Sequence, residues 1–301
     1  MFDSLLEAIE VAERDGLSLG ELALRTEAAE GLRTREQVEA GLKRALDVMR
    51  SAVERGLVGD LHSVSGLVGG DAEKMTRSKG PLAGTAFVDA IAAALAVQEV
   101  NAAMGVIVAA PTAGGAGVLP GTLLGLAKHH GSTDDQLVRA LATAGLVGAV
   151  VAVRASLSGA EGGCQAETGA AAGMAAAAGV ELLGGTPRQA MHAVAVTMQG
   201  TLGLVCDPLG GLVEVPCVYR NATGAAMALA GIEMALAGIG FPIPADEVID
   251  TMGEIGREMD VRYRETAGGG LAATPTGRRL AKERLVQLKP RPTGPRNKKS
   301  E

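Results

Sequence analysis

The chain is 301 residues long, with 28 Lys and Arg against 34 Asp and Glu, a formal charge of −6 at pH 7. That acidic balance, with 2% aromatic residues and no Trp, argues against a nucleic-acid partner, which asks for a basic surface and stacking platforms. Hydrophobic residues make up 47% and glycines number 43, enough to bury a substantial core built from small side chains that lets helices approach closely.

The first segment, "MFDSLLEAIEVAERDG", is acidic and amphipathic; it has neither the basic start nor the apolar stretch of a signal peptide. Residues 3–58 read as successive amphipathic helices. The last of them opens with Thr34 and has Gln37 three places on, a capping-box spacing. Leu42, Ala45, Leu46, Met49 and Val53 then recur at helical period. The apolar stretch 90–117 is interrupted by Gln98, Glu99, Asn101 and Pro111, and 222–240 carries Glu233. Neither offers the ~20 uninterrupted apolar residues of a membrane span, so no membrane partner is expected. Further helix starts are expected at Thr133 with Gln136, at Thr186 with Gln189 and an early Pro187, and over 244–259 with acidic residues in the first turn. "GVIVAAP" and "LGLVCD" fit short strands or buried helix ends equally well. The expected fold is all-α: one mainly helical domain over 1–280. A basic, Pro-containing tail over 281–301 lacks apolar periodicity and reads as disordered.

Five glycine-rich breaks interrupt the helical text: 65–72, 111–122, 158–169, 207–216 and 266–277. Such segments turn corners or bring backbone close to a ligand, and five exceed what corners need. All three cysteines, Cys164, Cys206 and Cys217, lie in or beside them. An odd cysteine number suits a reducing cytoplasm rather than a disulfide scaffold. There is no C-x-x-C pair, and His192 is the only histidine beyond residue 130, so zinc is not indicated. Spacing alone leaves two readings open, three inert buried thiols or three ligands of an iron–sulfur cluster one thiolate short of the usual four.

"SGLVGGDA", "APTAGGAGVLPGTLL", "SGAEGGCQAETG", "LVCDPLGGLVEVPCVYRNA" and "VRYRETAGGGLAATPTG" together closely resemble the α chain of iron–sulfur-dependent L-serine dehydratases, over about residues 5 to 280. The resemblance implies a helical catalytic domain in which Cys164, Cys206 and Cys217 hold a [4Fe-4S] cluster. It implies deamination of L-serine to pyruvate and ammonia without pyridoxal phosphate. It also implies a separate β chain carrying an ACT-like regulatory module. An iron left open by three-thiolate ligation would serve as a Lewis acid. Two departures stand out. Fused members end in a cysteine able to cap that iron, whereas this chain reads "KKSE", so another group is expected there. Fused members also read Pro-Thr-Asn-Gly where this chain has Pro111-Thr112-Ala113-Gly114, so no polar role carries over to position 113.

The remaining chemistry needs carboxylate binding, ammonium binding and a base. Thr112 with Gly114, Gly115 and Gly117 is expected to form an anion nest for the substrate carboxylate, against the alternative of a tight interhelical turn. Lys79, flanked by Ser78 and Gly80, is a second carboxylate ligand or a base, against a solvated loop lysine. Asn101, in an apolar stretch, is a substrate contact or a satisfied buried amide. His62 beside Ser63 and Ser65 is a second candidate base, against a structural role. Glu161, Glu167 and Asp207 read as loop caps. Arg220 and Asn221 donate to cluster sulfurs or cap the next helix. No role is expected for His129, His130 or His192. The competing functions are a related cluster-dependent L-cysteine desulfidase and a non-catalytic helical scaffold.

Overall fold

Local capping sets where the helices begin. In the computed structural model, which describes residues 2–78 and 84–285, Ser4 opens α1 (Leu5–Asp15) and Ser18 opens α2 (Leu19–Glu30), each accepting a backbone N–H three residues on. All three expected capping boxes form: Thr34 with Gln37 at α3 (Arg35–Leu57), Thr133 with Gln136, and Thr186 with Gln189. Each satisfies two otherwise orphaned N–H groups. After α3 come α4 (Asp71–Arg77), α5 (Thr85–Ala102), α6 (Val118–His130) and α7 (Asp134–Arg154). The second half contains α8 (Gly159–Gly162), a π-helical turn (Gln165–Gly169) running directly into α9 (Ala170–Leu182), and α10 (Pro187–Gln199). It closes with α11 (Cys217–Leu236), α12 (Ala245–Glu258) and α13 (Pro275–Leu285). Among the described residues there is no strand; an isolated parallel bridge joins Cys206 to Arg264.

The core is organised around α9, "AAAGMAAAAGVEL", of which every residue but Glu181 is buried. It packs against α6, α7, α10 and α11. Small residues permit that many neighbours: a Cβ at Gly179 would sit 2.2 Å from Cδ1 of Ile232, and one at Gly173 2.8 Å from Cγ of Met198. A second close seam joins α6 to α5. Gly117, Gly121 and Gly125, spaced by four, face Ala90 and Ala94. A Cβ there would lie 2.4 Å from the Ala94 oxygen, 2.8 Å from the Ala90 oxygen and 2.8 Å from Ala90 Cα, respectively. The glycine content is thus used for backbone approach between helices as much as for turns.

Several expectations are revised. "GVIVAAP" is neither strand nor helix end: residues 105–109 run without regular structure, and Val106 is 76% exposed. "LGLVCD" contributes only the single bridge at Cys206. The glycine-rich stretch 111–122 is half helix, since α6 starts at Val118. Helix α13 continues to Leu285, five residues past the expected domain end at 280; residues 286–301 of the expected tail lie outside the described residues. Two helices, α5 and α7, are long and apolar enough to cross a membrane by length and composition alone, but most of each is buried within the chain, as in a core helix.

Candidate active site

Each cysteine is set by a different local device. Cys164 follows a break at Gly163, whose φ of 75° lies in the left-handed region that favours glycine. The π turn that follows is held open from inside by Gln165, which is fully buried. Its Nε2 donates to the Met252 carbonyl at 3.0 Å, and its Oε1 accepts from Gly203 N–H at 2.9 Å. π turns recur at functional sites because they displace side chains from the regular helical face. Cys206 is pinned through its backbone, donating to the Tyr263 carbonyl and accepting from Glu265 N–H, both at 2.8 Å. Cys217 is the first residue of α11. Cys164 and Cys217 therefore both sit at N-terminal ends of long helical runs, where the backbone dipole favours anionic sulfur.

The three thiols are free and buried. Burial pushes all three upward; Cys164 and the Glu167 carboxylate push Cys206 and Cys217 further, and Cys217 reaches about 12. Cys217 also acts electrostatically on Cys206. Among the described residues, no three His, Cys, Asp or Glu side chains converge closely enough to chelate a single metal ion. A polynuclear iron–sulfur cluster spreads its thiolates over separate corners, and a buried all-sulfur donor set matches its chemistry. The donor chemistry of the residues present fits that group.

Glu167 is wedged at the centre. Thr112 Oγ1 donates to its Oε1 at 2.7 Å, and Cys206 Sγ lies 3.9 Å from its Oε2. A Cβ on Gly114 would sit 2.8 Å from Oε2, and one on Gly159 2.7 Å from Oε2 and 3.1 Å from Cys206 Sγ. Three segments thus close on one carboxylate. Burial raises its pKa, the Thr112 hydrogen bond opposes this, and repulsion from Glu265 adds to it. Glu265 itself holds a left-handed φ of 62°, an uncommon conformation for a residue with a side chain and one that clusters at functional sites.

The loop 111–117 is held against the cysteines by Asn221, which is fully buried. Its Oδ1 accepts from Gly117 N–H at 2.8 Å; its Nδ2 donates to the carbonyls of Gly114 at 2.6 Å and Cys217 at 2.9 Å. Gln98 Nε2 and Asn101 Nδ2 both donate to the Ala113 carbonyl, at 2.8 and 3.3 Å. Position 113 therefore contributes its backbone. Gly117 N–H being taken, the expected nest narrows to Gly114 and Gly115, whose N–H groups make no hydrogen bond among the described residues.

Two buried carboxylates hold the loop at 61–70. Glu214 accepts from Ser63 Oγ at 2.7 Å, from Ser65 N–H at 2.9 Å and from Ser65 Oγ. Glu99 accepts from the N–H groups of Gly70, Asp71 and Ala72, closing the start of α4. His62 is exposed and acts electrostatically on Asp60. Ser78 ends α4; Lys79 lies outside the described residues. Glu161 is exposed and accepts from Ser156 at 2.6 Å, while Asp207 caps the turn at Leu271 N–H at 2.6 Å. Glu167, Asn221, Gln98, Glu99 and Glu214 carry more of this site than their sequence reading assigned. The one local signal was polarity inside an apolar helix, at Gln98 and Glu99.

The family model described as serine dehydratase alpha chain matches residues 14–272. A "Probable L-serine dehydratase, alpha chain" of Bacillus subtilis is 51% identical, covering 94% of this chain and 95% of that protein. An "L-serine dehydratase, alpha chain" of Peptoniphilus asaccharolyticus is 38% identical, covering 95% and 99% respectively. An "L-serine dehydratase" of Mycobacterium tuberculosis is 41% identical over 89% of this chain but only 60% of its own length.

Proposed function

The chain belongs to the serine dehydratase alpha-chain family, and from that premise we propose that it is the catalytic subunit that deaminates L-serine to pyruvate and ammonia. The observation that carries this reading is the convergence of Cys206 and the loop 111–117 on the buried Glu167 carboxylate, with the free, buried Cys217 tied to the same loop through Asn221 and Cys164 three residues before Glu167.

Cys164, Cys206 and Cys217 would hold a [4Fe-4S] cluster. Such a cluster, held by three thiolates, supplies a Lewis acid that polarises the bond to the substrate's β-hydroxyl. The chain's own residues supply the rest. The N–H groups of Gly114 and Gly115 face the substrate carboxylate as a two-donor nest. Glu167 is the candidate base. Burial raises its carboxyl above the ordinary carboxylate range, which makes it a stronger proton acceptor. In this reading its Oε2 takes the α-proton, while Thr112 holds Oε1 and so fixes the face presented. Asn221 keeps the nest in register with Cys217. Loss of the α-proton and β-hydroxyl as water leaves 2-aminoacrylate, which takes up water and releases ammonia, with no call on pyridoxal phosphate. Asn101 and Gln98 act behind the loop through the Ala113 carbonyl. Lys79 and His62, the bases expected from the sequence, and Ser78, an expected substrate contact, stay as further candidates.

The alpha-chain relatives match nearly end to end, whereas the M. tuberculosis protein extends well beyond the matched region. The alpha-chain names of the first two relatives support a separate β chain as partner, and we assign its regulatory part to an ACT-like module. Three unpaired cysteines favour a reducing cytoplasm.

The test is 2-oxo acid release from L-serine and L-cysteine by anaerobically isolated chain, with its β chain present. Serine is expected to be the better substrate. Glu167→Gln should lower kcat by about 10²–10⁴-fold, the usual worth of a general base, with iron content unchanged. Preference for cysteine, or no product from an iron-replete preparation, overturns the assignment.

A further inference from the structure

Arg220 lies three residues beyond Cys217 on α11, so the two side chains share one helix face. Its side chain is only 15% exposed. Two anchors hold the guanidinium: Nη1 donates to the Val205 carbonyl at 2.8 Å, and Nη2 lies 2.8 Å from Asp207 Oδ1. The second contact is an ion pair by distance but lacks hydrogen-bond geometry, which leaves Oδ1 without a hydrogen-bond partner. Asp207 is itself tied to Leu271 N–H through Oδ2. A half-buried arginine with one imperfect ion pair is costly unless its charge answers something else.

What it answers is on the same face. Arg220 lies close enough to act electrostatically on both Cys164 and Cys217, opposite in sign to the buried Glu167 carboxylate, which acts on the same two residues. The N-terminus of α11 adds positive potential at Cys217. Backbone bonding at Val205 also points the guanidinium toward the segment leading into Cys206. One cation thus bears on the surroundings of all three sulfurs, through space at two and through the backbone at the third.

We propose that Arg220 is a positioning residue that compensates the negative charge of three thiolates and their iron–sulfur cluster, thereby slowing iron loss and raising the cluster's reduction potential. The inference rests on the cluster reading given above. Removing a nearby positive charge disfavours the more reduced, more negative cluster, so the potential must fall. It also weakens the hold on the thiolate form.

The experiment compares the full chain, isolated anaerobically with its β chain, as wild type, Arg220→Gln, Arg220→Lys and Asp207→Asn. The readouts are iron and sulfide per chain, the midpoint potential from an EPR-monitored titration, and the rate of iron loss to a chelator. Arg220→Gln should lower the potential and lose iron about tenfold faster, the effect of one lost charge-assisted interaction. Arg220→Lys should keep a potential near wild type, and should carry the test if the Gln variant fails to fold. Asp207→Asn keeps the cation and removes the opposing carboxylate, so its potential should not fall. A wild-type potential and iron-loss rate in Arg220→Gln, with full iron in wild type, overturns this inference alone. Wild-type protein without iron overturns the cluster reading and this inference with it.

Discussion

Replacing Asn221 by Ala is the sharpest test of how the site is held together. The side chain is fully buried and joins Gly117 N–H, the Gly114 carbonyl and the Cys217 carbonyl. The Cys217 carbonyl keeps its place in the α11 hydrogen-bond ladder, and the Gly114 carbonyl keeps a long contact of 3.4 Å from Gln98. Gly117 N–H is left with nothing. An unsatisfied buried donor costs about 1–3 kcal/mol, and the small void left by the amide adds to it. A loss of about 3 kcal/mol follows, equivalent to a fall of roughly 5 °C in Tm for a chain of this size. Thermal unfolding of the wild type, Asn221→Ala and Thr223→Ala measures it. Thr223 lies two residues on, is exposed and bonds only the Arg220 carbonyl, so its change should stay within about 0.5 kcal/mol. The KM for serine should rise in Asn221→Ala, because the nest loses its tie to Cys217. A Tm indistinguishable from that of Thr223→Ala would refute the reasoning.

Gly121→Ala should destabilise the chain by about 1–3 kcal/mol through overpacking, because its Cβ would press on backbone atoms of Ala90 and Ala94. Gly145→Ala, on an exposed face of α7 with nothing within 4 Å, should instead stabilise by about 0.5–1 kcal/mol; urea unfolding compares the two. Hydrogen bonds from Arg35, opposed by burial and aided by Arg25, hold the Glu21 carboxyl at about 2. A depressed folded pKa stabilises above the unfolded value of about 4.3 and is lost as pH falls toward 2. Glu21→Gln should therefore cost up to about 1 kcal/mol at pH 7, discounted because Arg35 is 41% exposed. That difference should close in denaturation curves taken between pH 4.5 and 2. Cys206→Ser should lose most of its iron, measured colorimetrically, while far-ultraviolet circular dichroism stays helical.

What could be read from the sequence was local. The capping boxes at Thr34, Thr133 and Thr186 need only residues three apart, and each forms. The all-α class followed from helical periodicity and the near absence of alternating patterns. The cysteines could be singled out because they stand in glycine-rich segments rather than on apolar helix faces. Glu167 and Asn221 could not be assigned, because their partners are distant in the chain: Thr112 is 55 positions from Glu167, and Gly117 is 104 from Asn221. The π turn after Cys164 was likewise hidden, since Gln165 holds it through Met252 and Gly203. In "PTAGGAGVLPGT" the glycines signalled a break, yet Gly121 serves a helix seam that only the position of α5 explains. Glu214 looked like one more loop residue, and its serine partners lie about 150 positions away.

The central claim is that Cys164, Cys206 and Cys217 act together as ligands of one cluster. Iron and acid-labile sulfide analysis of the anaerobically isolated chain tests it most directly. About four irons and four sulfides per chain are expected, with broad visible absorbance and no thiol free to react until the cluster is removed. A colourless, iron-free protein in which all three cysteines react on unfolding, and which takes up no iron on reconstitution, would contradict it.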